Sequence, residues 1–122
     1  MPVITIGALT RPADPAAASA RIANAVARAA DVPEHDIWIV WSEIGPSSYV
    51  IDGSAPAAQP HDTHPPLVEI SSRSGRAPEA IDRVLATTAD AVAAELGIAP
   101  TNVRVVYAEV PTRRLYSRGR YQ

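Results

Sequence analysis

A nearly unbroken apolar run, Val3 to Leu9 (VITIGAL), opens the chain and is rich in β-branched side chains, which predicts a short strand. Its continuous apolar character suggests a strand covered on both faces, as in a parallel sheet. Thr10-Arg11-Pro12 ends it, and Asp14-Pro15 supplies a helix start, with Asp as N-cap and Pro at the first helical position. The helix is expected to run to about Ala30, with Ile22, Val26 and the alanines on one face and Arg21 and Arg28 on another. Asp31 to His35 forms the exit turn. Ile37 to Ile44 (IWIVWSEI) reads as a second strand, broken by Gly45-Pro46. The pattern then restarts after a proline-rich stretch. Leu67 to Ser72 is a third strand, and Ala77-Pro78-Glu79 opens a helix lasting to about Leu96. Ile81, Leu85, Ala89, Val92 and Leu96 recur at helical spacing as its core face, and Gly97 caps its end. Val103 to Val110 is a fourth strand, stopped by Pro111.

The restart is an internal repeat. Asp36-Ile37-Trp38-Ile39-Val40-Trp41-Ser42-Glu43-Ile44 aligns with Asn102-Val103-Arg104-Val105-Val106-Tyr107-Ala108-Glu109-Val110, each after a helix and a Pro-containing turn. Pro2-Val3-Ile4-Thr5-Ile6 matches Pro66-Leu67-Val68-Glu69-Ile70. Each half, about 2–46 and 66–111, is therefore a β-α-β unit with two parallel strands. Together they predict one α/β domain over 1–122, a four-stranded mixed sheet with both helices on one face. The opposite face stays bare in a monomer, and apolar strands there imply oligomerisation. Between the halves, Ser47 to Pro66 reads as an ordered loop or a linker, with Tyr49-Val50-Ile51 as a short hairpin arm; a lid over a pocket is a further reading of it.

Composition narrows the function classes. With 11 basic residues against 13 acidic ones, the net charge of −2 argues against a general nucleic-acid or membrane-surface binder. The chain has no cysteine, so disulfides and thiolate chemistry are excluded. It has no Phe, leaving a core of Ala, Val, Ile and Leu, part of which is expected to be buried between subunits. The opening residues do not form a signal peptide, and no apolar stretch is long enough to span a bilayer, so a cytoplasmic location is the default expectation.

Pro2 is the first candidate for chemistry. Removal of the initiator Met beside a small residue leaves an N-terminal proline, the one secondary amine a ribosomal chain can present. An α-amine titrates near about 8, and desolvation or nearby cations favour its neutral form, a competent general base or nucleophile. With Met1 attached, the same nitrogen is a tertiary amide without a basic lone pair. Arg73 and Arg76 sit at the end of the third strand, where ligands of parallel sheets collect, and two guanidinium groups there can hold a carboxylate. Asp36 can orient a water or relay a proton; turn chemistry at a strand start is the alternative reading. Glu43 and Glu109 read as strand-end charges in subunit salt bridges. His61 and His64 read as solvated loop histidines rather than metal ligands. Trp38, Trp41 and Tyr107 lie on strands, where sheet packing or a subunit interface competes with lining a pocket.

Met-Pro before a strand, the two β-α-β halves, and the segments VPEHDIWIVWSEI and IAPTNVRVVYAEVP resemble the tautomerase superfamily over nearly the whole chain. The last segment is similar to the corresponding strand and turn of 4-oxalocrotonate tautomerase. The double-length chain, with Arg73 and Arg76 after the third strand, resembles the malonate semialdehyde decarboxylase and cis-3-chloroacrylic acid dehalogenase branches. Asp36 matches the decarboxylase's catalytic aspartate, although the arginine spacing differs by one residue. The dehalogenases' histidine on the first helix has no counterpart in Ala27-Arg28-Ala29-Ala30, and their water-activating glutamate aligns near Ser117, which argues against dehalogenation.

The resemblance implies a tautomerase/MIF-like fold, a homotrimer, and a cofactor-independent, metal-free site centred on Pro2. It implies keto–enol tautomerisation of a small 2-keto or enol carboxylic acid, with Pro2, Arg73, Arg76 and Asp36 as the catalytic set. Arg104, Tyr107, Trp41 and Tyr116 would bind substrate or wall the pocket, Arg104 and Tyr116 from a neighbouring subunit. Malonate semialdehyde-type decarboxylation or hydration in the same pocket, and a non-catalytic trimeric binding protein, are the alternatives.

Overall fold

In the computed structural model, which describes residues 1–122, the two repeats become β1 (Val3–Ala8), α1 (Pro15–Ala30), β2 (Trp38–Glu43), then β3 (Leu67–Arg73), α2 (Pro78–Leu96) and β4 (Arg104–Val110). The Asp14 side chain accepts from the Ala17 amide at 3.1 Å, satisfying one of the donors left free at the start of α1. Gly97 ends α2 with φ of 65°, a left-handed turn that costs glycine little. No helix is long and apolar enough to cross a membrane.

The strands form one sheet in the order β2-β1-β3-β4. β2 runs parallel to β1 and β4 parallel to β3, while β1 and β3 are antiparallel at the centre, with Val3 opposite Ser71 and Ile4 opposite Ile70. This arrangement puts the start of β1, the start of β2 and the carboxyl ends of β3 and β4 at the same end of the sheet. Ile4, Ile6, Val68 and Ile70 point to the face covered by both helices and meet Ile22 and Val26 of α1 and Val84 and Val92 of α2.

Three expectations change. β1 is covered on one face only: Ile4, Ile6 and Ala8 are buried while Thr5 between them is exposed. Its continuous apolar run therefore reflects small and β-branched residues on the open face rather than a second layer within the chain. On α2, the deepest stripe is Val84, Thr88, Val92 and Ala93, with Ile81, Leu85, Ala89 and Leu96 only half-buried beside it. Thr88 can sit at the centre because its hydroxyl donates back to the Val84 carbonyl at 2.6 Å, hiding the polar atom that a hydropathy pattern penalises.

His64, read as a solvated loop histidine, is buried, its Nε2 within 2.8 Å of the Ser54 carbonyl and its ring edge-on to Tyr49. The Ser47–Pro66 connection is an ordered loop. Tyr49 donates to the Pro65 carbonyl at 2.8 Å, and Asn102 Nδ2 donates to the carbonyls of Pro60 and Thr63 at 3.3 and 2.9 Å. The Leu9 amide donates to Gln59 Oε1 at 3.4 Å. These bonds pin the loop at the end of β1 and the start of β4, the opposite end of the sheet from Pro2, so within one chain it is not a lid over that residue. Beyond β4, the tail folds into a hairpin of β5 (Tyr116–Ser117) and β6 (Arg120–Tyr121). Its turn carries Arg118 and Gly119 at φ of 54° and 79°, the signs a two-residue hairpin turn requires.

Ile70→Ala should lower stability by about 2–5 kcal/mol, as expected for emptying a fully buried site. Ile51→Ala, on the exposed arm, should change it by less than about 0.5 kcal/mol. Urea denaturation of both variants measures the contrast, and equal losses would contradict this assignment of the core.

Candidate functional site

The amide of Trp38 donates to the Pro2 carbonyl at 3.0 Å, extending the β1–β2 ladder past the first strand residue. Pro2 is thereby fixed and buried at the sheet end, and the terminal amine emerges beside the carboxyl ends of β3 and β4. Arg73 is the last residue of β3. The chain then turns through Gly75, at a φ of 122° that a side chain would resist, and presents Arg76 on the same side. The Ser74 amide donates to the Val110 carbonyl at 3.0 Å and holds this turn against β4.

A cavity of about 300 Å³ opens there, lined by Met1, Ser72, Arg73, Gly75, Arg76 and Thr112. A second, of about 50 Å³, lies on the open sheet face between the apolar Met1, Val3, Trp38 and Leu115 and the polar Arg73, Ser117 and Gln122. A third, of about 280 Å³, is bounded by Met1, Ser117, Arg118, Arg120 and Gln122 of the hairpin. Met1 lines all three.

The terminal amine, carried by Met1, is held below its ordinary value. Partial burial is the largest cause, the positive charge of Arg73 acts in the same direction, Asp36 opposes them, and Arg76 adds a smaller push downward. Each sign follows from which protonation state the neighbour favours: cations and desolvation disfavour the ammonium, and a carboxylate favours it. Asp36 comes from a single helical turn, Glu34–Asp36, that enters β2 immediately before Trp38. It is half-buried, with His35 Nε2 3.5 Å from its carboxylate.

Of the residues anticipated for the site, Pro2, Arg73, Arg76 and Asp36 come together at this end within one chain. The others do not. Trp41 lies on the helix face, its indole Nε1 donating to Ser19 Oγ of α1 at 2.7 Å. Tyr107 is opposite Ile70 on the same face, its hydroxyl buried and without a hydrogen-bond partner. Arg104 pairs with Leu67 at the far end of the open face. Tyr116 is exposed on the hairpin, edge-on to Tyr121 at 5.1 Å. None of these four lines the cavities at Met1. Trp38 and Leu115 do; the sequence named Trp38 as able to line a pocket but favoured packing or an interface for it, and did not point to Leu115. The signal for Trp38 lies in the parallel register that pairs it with Val3, which hydropathy alone does not specify.

No protein-family model and no curated protein matches the sequence. Solved structures do match the fold. Native fused 4-OT superposes with a TM-score of 0.81 at 18% identity, over 98% of this chain and 94% of that one. Pt0534, inactivated by 2-oxo-3-pentynoate, gives 0.80 at 18%, over 96% and 92%. N1, a member of the cis-3-chloroacrylic acid dehalogenase family, gives 0.73 at 20%, over 98% and 82%. The chain has the tautomerase-superfamily fold, a mixed sheet β2-β1-β3-β4 backed by two helices.

Arg73→Ala should raise the amine's pKa toward the ordinary value, and Asp36→Asn should lower it further. NMR titration of the 15N-labelled terminus reads both shifts, and opposite signs would refute the electrostatic account. Because the folded pKa lies below the unfolded one, the unfolded chain binds more protons between the two. Burying this amine therefore costs stability at low pH, and the cost is relieved as pH rises through the folded pKa toward about 8.

Proposed function

We propose that the chain is a cofactor-independent keto–enol tautomerase acting on a small 2-keto or enol carboxylic acid, with Pro2 as general base once Met1 is removed. The observation that carries this reading is the terminal amine at a cavity lined by Arg73 and Arg76, lowered by burial and by those arginines, with the Asp36 charge opposing them. The Pro2 nitrogen is one residue further along, in the buried position, where the same desolvation favours a neutral, proton-accepting amine.

In this mechanism Arg73 and Arg76 take the substrate carboxylate in the larger cavity. Bidentate guanidinium contacts fix its plane and set the reacting carbons at the amine. Pro2 removes the enol hydroxyl proton or a carbon-bound proton and returns it at the other position, so the substrate is isomerised with no net change in composition. The same guanidinium charge stabilises the enolate oxygen that develops between the two transfers. Asp36 keeps the resulting ammonium from being released too early as an acid, since its carboxylate favours the charged form.

The exposed open face of the sheet, with Val40 and Leu67 on it, favours assembly of several copies, and fused 4-OT forms trimers. In a homotrimer Arg104 and Tyr116 would reach a neighbour's cleft, which suits their distance from Pro2 within one chain. Decarboxylation of a 3-oxo acid is the second reading, favoured by the Asp36 charge: a protonated Pro2 would polarise the carbonyl, and Asp36 would hold that proton. The net downward shift of the amine favours the base over the acid.

Pro2→Ala should reduce kcat/KM by about 10²–10⁴-fold, the usual worth of a positioned general base. Arg73→Ala should cost about 10²–10³-fold, as for other lost oxyanion or carboxylate donors. Enol ketonisation assays on the methionine-free protein, confirmed by intact mass, test both, and normal turnover in both variants would sink the proposal. Activity should fall as pH drops through the lowered amine pKa, and Arg73→Ala should move that acid limb to higher pH. Asp36→Asn should affect a 3-oxo acid decarboxylation far more than ketonisation if the second reading holds.

A further inference from the structure

We propose that Trp38, with Leu115, sets the size and polarity of the substrate's non-carboxylate end, which is a short apolar chain. This rests on the reading of the Arg73–Arg76 cavity as a carboxylate site. Met1 lines both that cavity and the small apolar one, so its removal joins them at the Pro2 nitrogen. A substrate held by its carboxylate at the arginines, with its reacting carbons at the amine, directs its remaining carbons toward Val3, Trp38 and Leu115.

The repeat shows what is distinctive about position 38. Trp38 and Arg104 occupy equivalent places, each the first residue of its strand, and each amide donates to the carbonyl of a proline, Pro2 at 3.0 Å and Pro66 at 3.1 Å. At the end that carries the amine, the residue facing the open side is an indole rather than a guanidinium. The hollow there measures about 50 Å³. A water needs at least about 10–15 Å³ of such space, so the hollow admits roughly three to five water-sized groups, a short run of carbon atoms. The guanidinium of Arg118 stands 6.0 Å from the centre of the Trp38 ring, packed toward its face, and together with Arg120 it borders the separate hollow under the hairpin. Arg118 is not part of the lining of the hollow at Trp38, whose one charged side chain is Arg73, already assigned to the carboxylate, beside the neutral Ser117 and Gln122.

The test uses the methionine-free protein and a ladder of 2-oxo acids: pyruvate, 2-oxobutanoate, 2-oxopentanoate, 2-oxooctanoate and the dicarboxylate 2-oxoglutarate. The readouts are exchange of the carbon-3 protons with deuterated solvent, as kcat/KM, and binding by NMR titration. In the parent protein kcat/KM should rise about fourfold per added methylene as far as 2-oxopentanoate, the factor expected for burying each CH₂, and then drop for 2-oxooctanoate. Trp38→Ala and, separately, Leu115→Ala should move the optimum to the longer chain. Trp38 is exposed on an edge strand, and Leu115→Ala reports on the same hollow from a different element should the first variant perturb assembly.

A preference for 2-oxoglutarate over 2-oxopentanoate by more than about tenfold would overturn the inference, because it would show a charged contact at the far end. A chain-length profile unchanged in both variants would overturn it as well. Binding that depends on Arg73 and keeps the chain-length ladder, but without exchange, would support the inference while the Pro2 base reading fails. Absence of any Arg73-dependent binding would overturn both.

Discussion

The antiparallel pairing of β1 with β3 is the constraint on which the site depends. Each β-α-β unit alone would send the starts of its strands to one end of the sheet and their carboxyl ends to the other. Opposing the two units at the centre, with Val3 across from Ser71, brings the start of the first unit to the carboxyl end of the second. The chain terminus and the arginines of the loop after β3 are thus neighbours, although more than half the sequence lies between them. A slip of one residue in this register would turn either Ile4 and Ile6 or Val68 and Ile70 away from the helices, so the core that fixes the register also fixes the site.

Burial and charge then act on the same group. Pro2 is held by a ladder hydrogen bond in the packed sheet end, and the Met1 amine next to it is partly desolvated. Two guanidinium groups raise the cost of protonating it, and one carboxylate limits that effect. The balance matters more than either part. With arginines alone the amine would be a weak base, and with Asp36 alone it would stay protonated and unable to accept a proton. Neither set of charges needs an ion pair to hold it. Arg73 stands at the end of β3, an interior strand, and Arg76 is placed by a glycine turn.

Much of this was legible in the residues. Strands, helices, their caps and the repeat follow from periodicity and from Pro and Gly punctuation, and the alignment of Pro2 with Pro66 implied the two-unit sheet. The grouping of Pro2, Arg73, Arg76 and Asp36 followed from the repeat and the family resemblance together. Two kinds of information were not legible. One was the side from which a strand residue faces: Trp41 and Tyr107 point beneath the helices and Trp38 to the open face, and the difference rests on a single-residue alternation that an apolar run conceals. The other was satisfaction of polar groups by distant partners. His64 and Thr88 are buried because a loop carbonyl and a helical carbonyl meet them, and composition treats both residues as surface material.

The two ends of the sheet show how one architecture yields unequal ends. Pro66 repeats the place of Pro2, buried and accepting a strand amide through its carbonyl; with Met1 attached both nitrogens are tertiary amides, and only removal of Met1 would give Pro2 a basic one. Position 9, which repeats Arg73, is a buried leucine whose amide is bound by Gln59. The chain that must connect the halves passes over this end, and its buried His64 with half-buried Gln59 and Pro60 occupies the space that stays open around Met1 at the other. The connection between the halves necessarily enters at the internal proline, Pro66. The asymmetry between a sealed end and an open, cationic one therefore follows from joining two units in a single chain, and specific residues had only to exploit it.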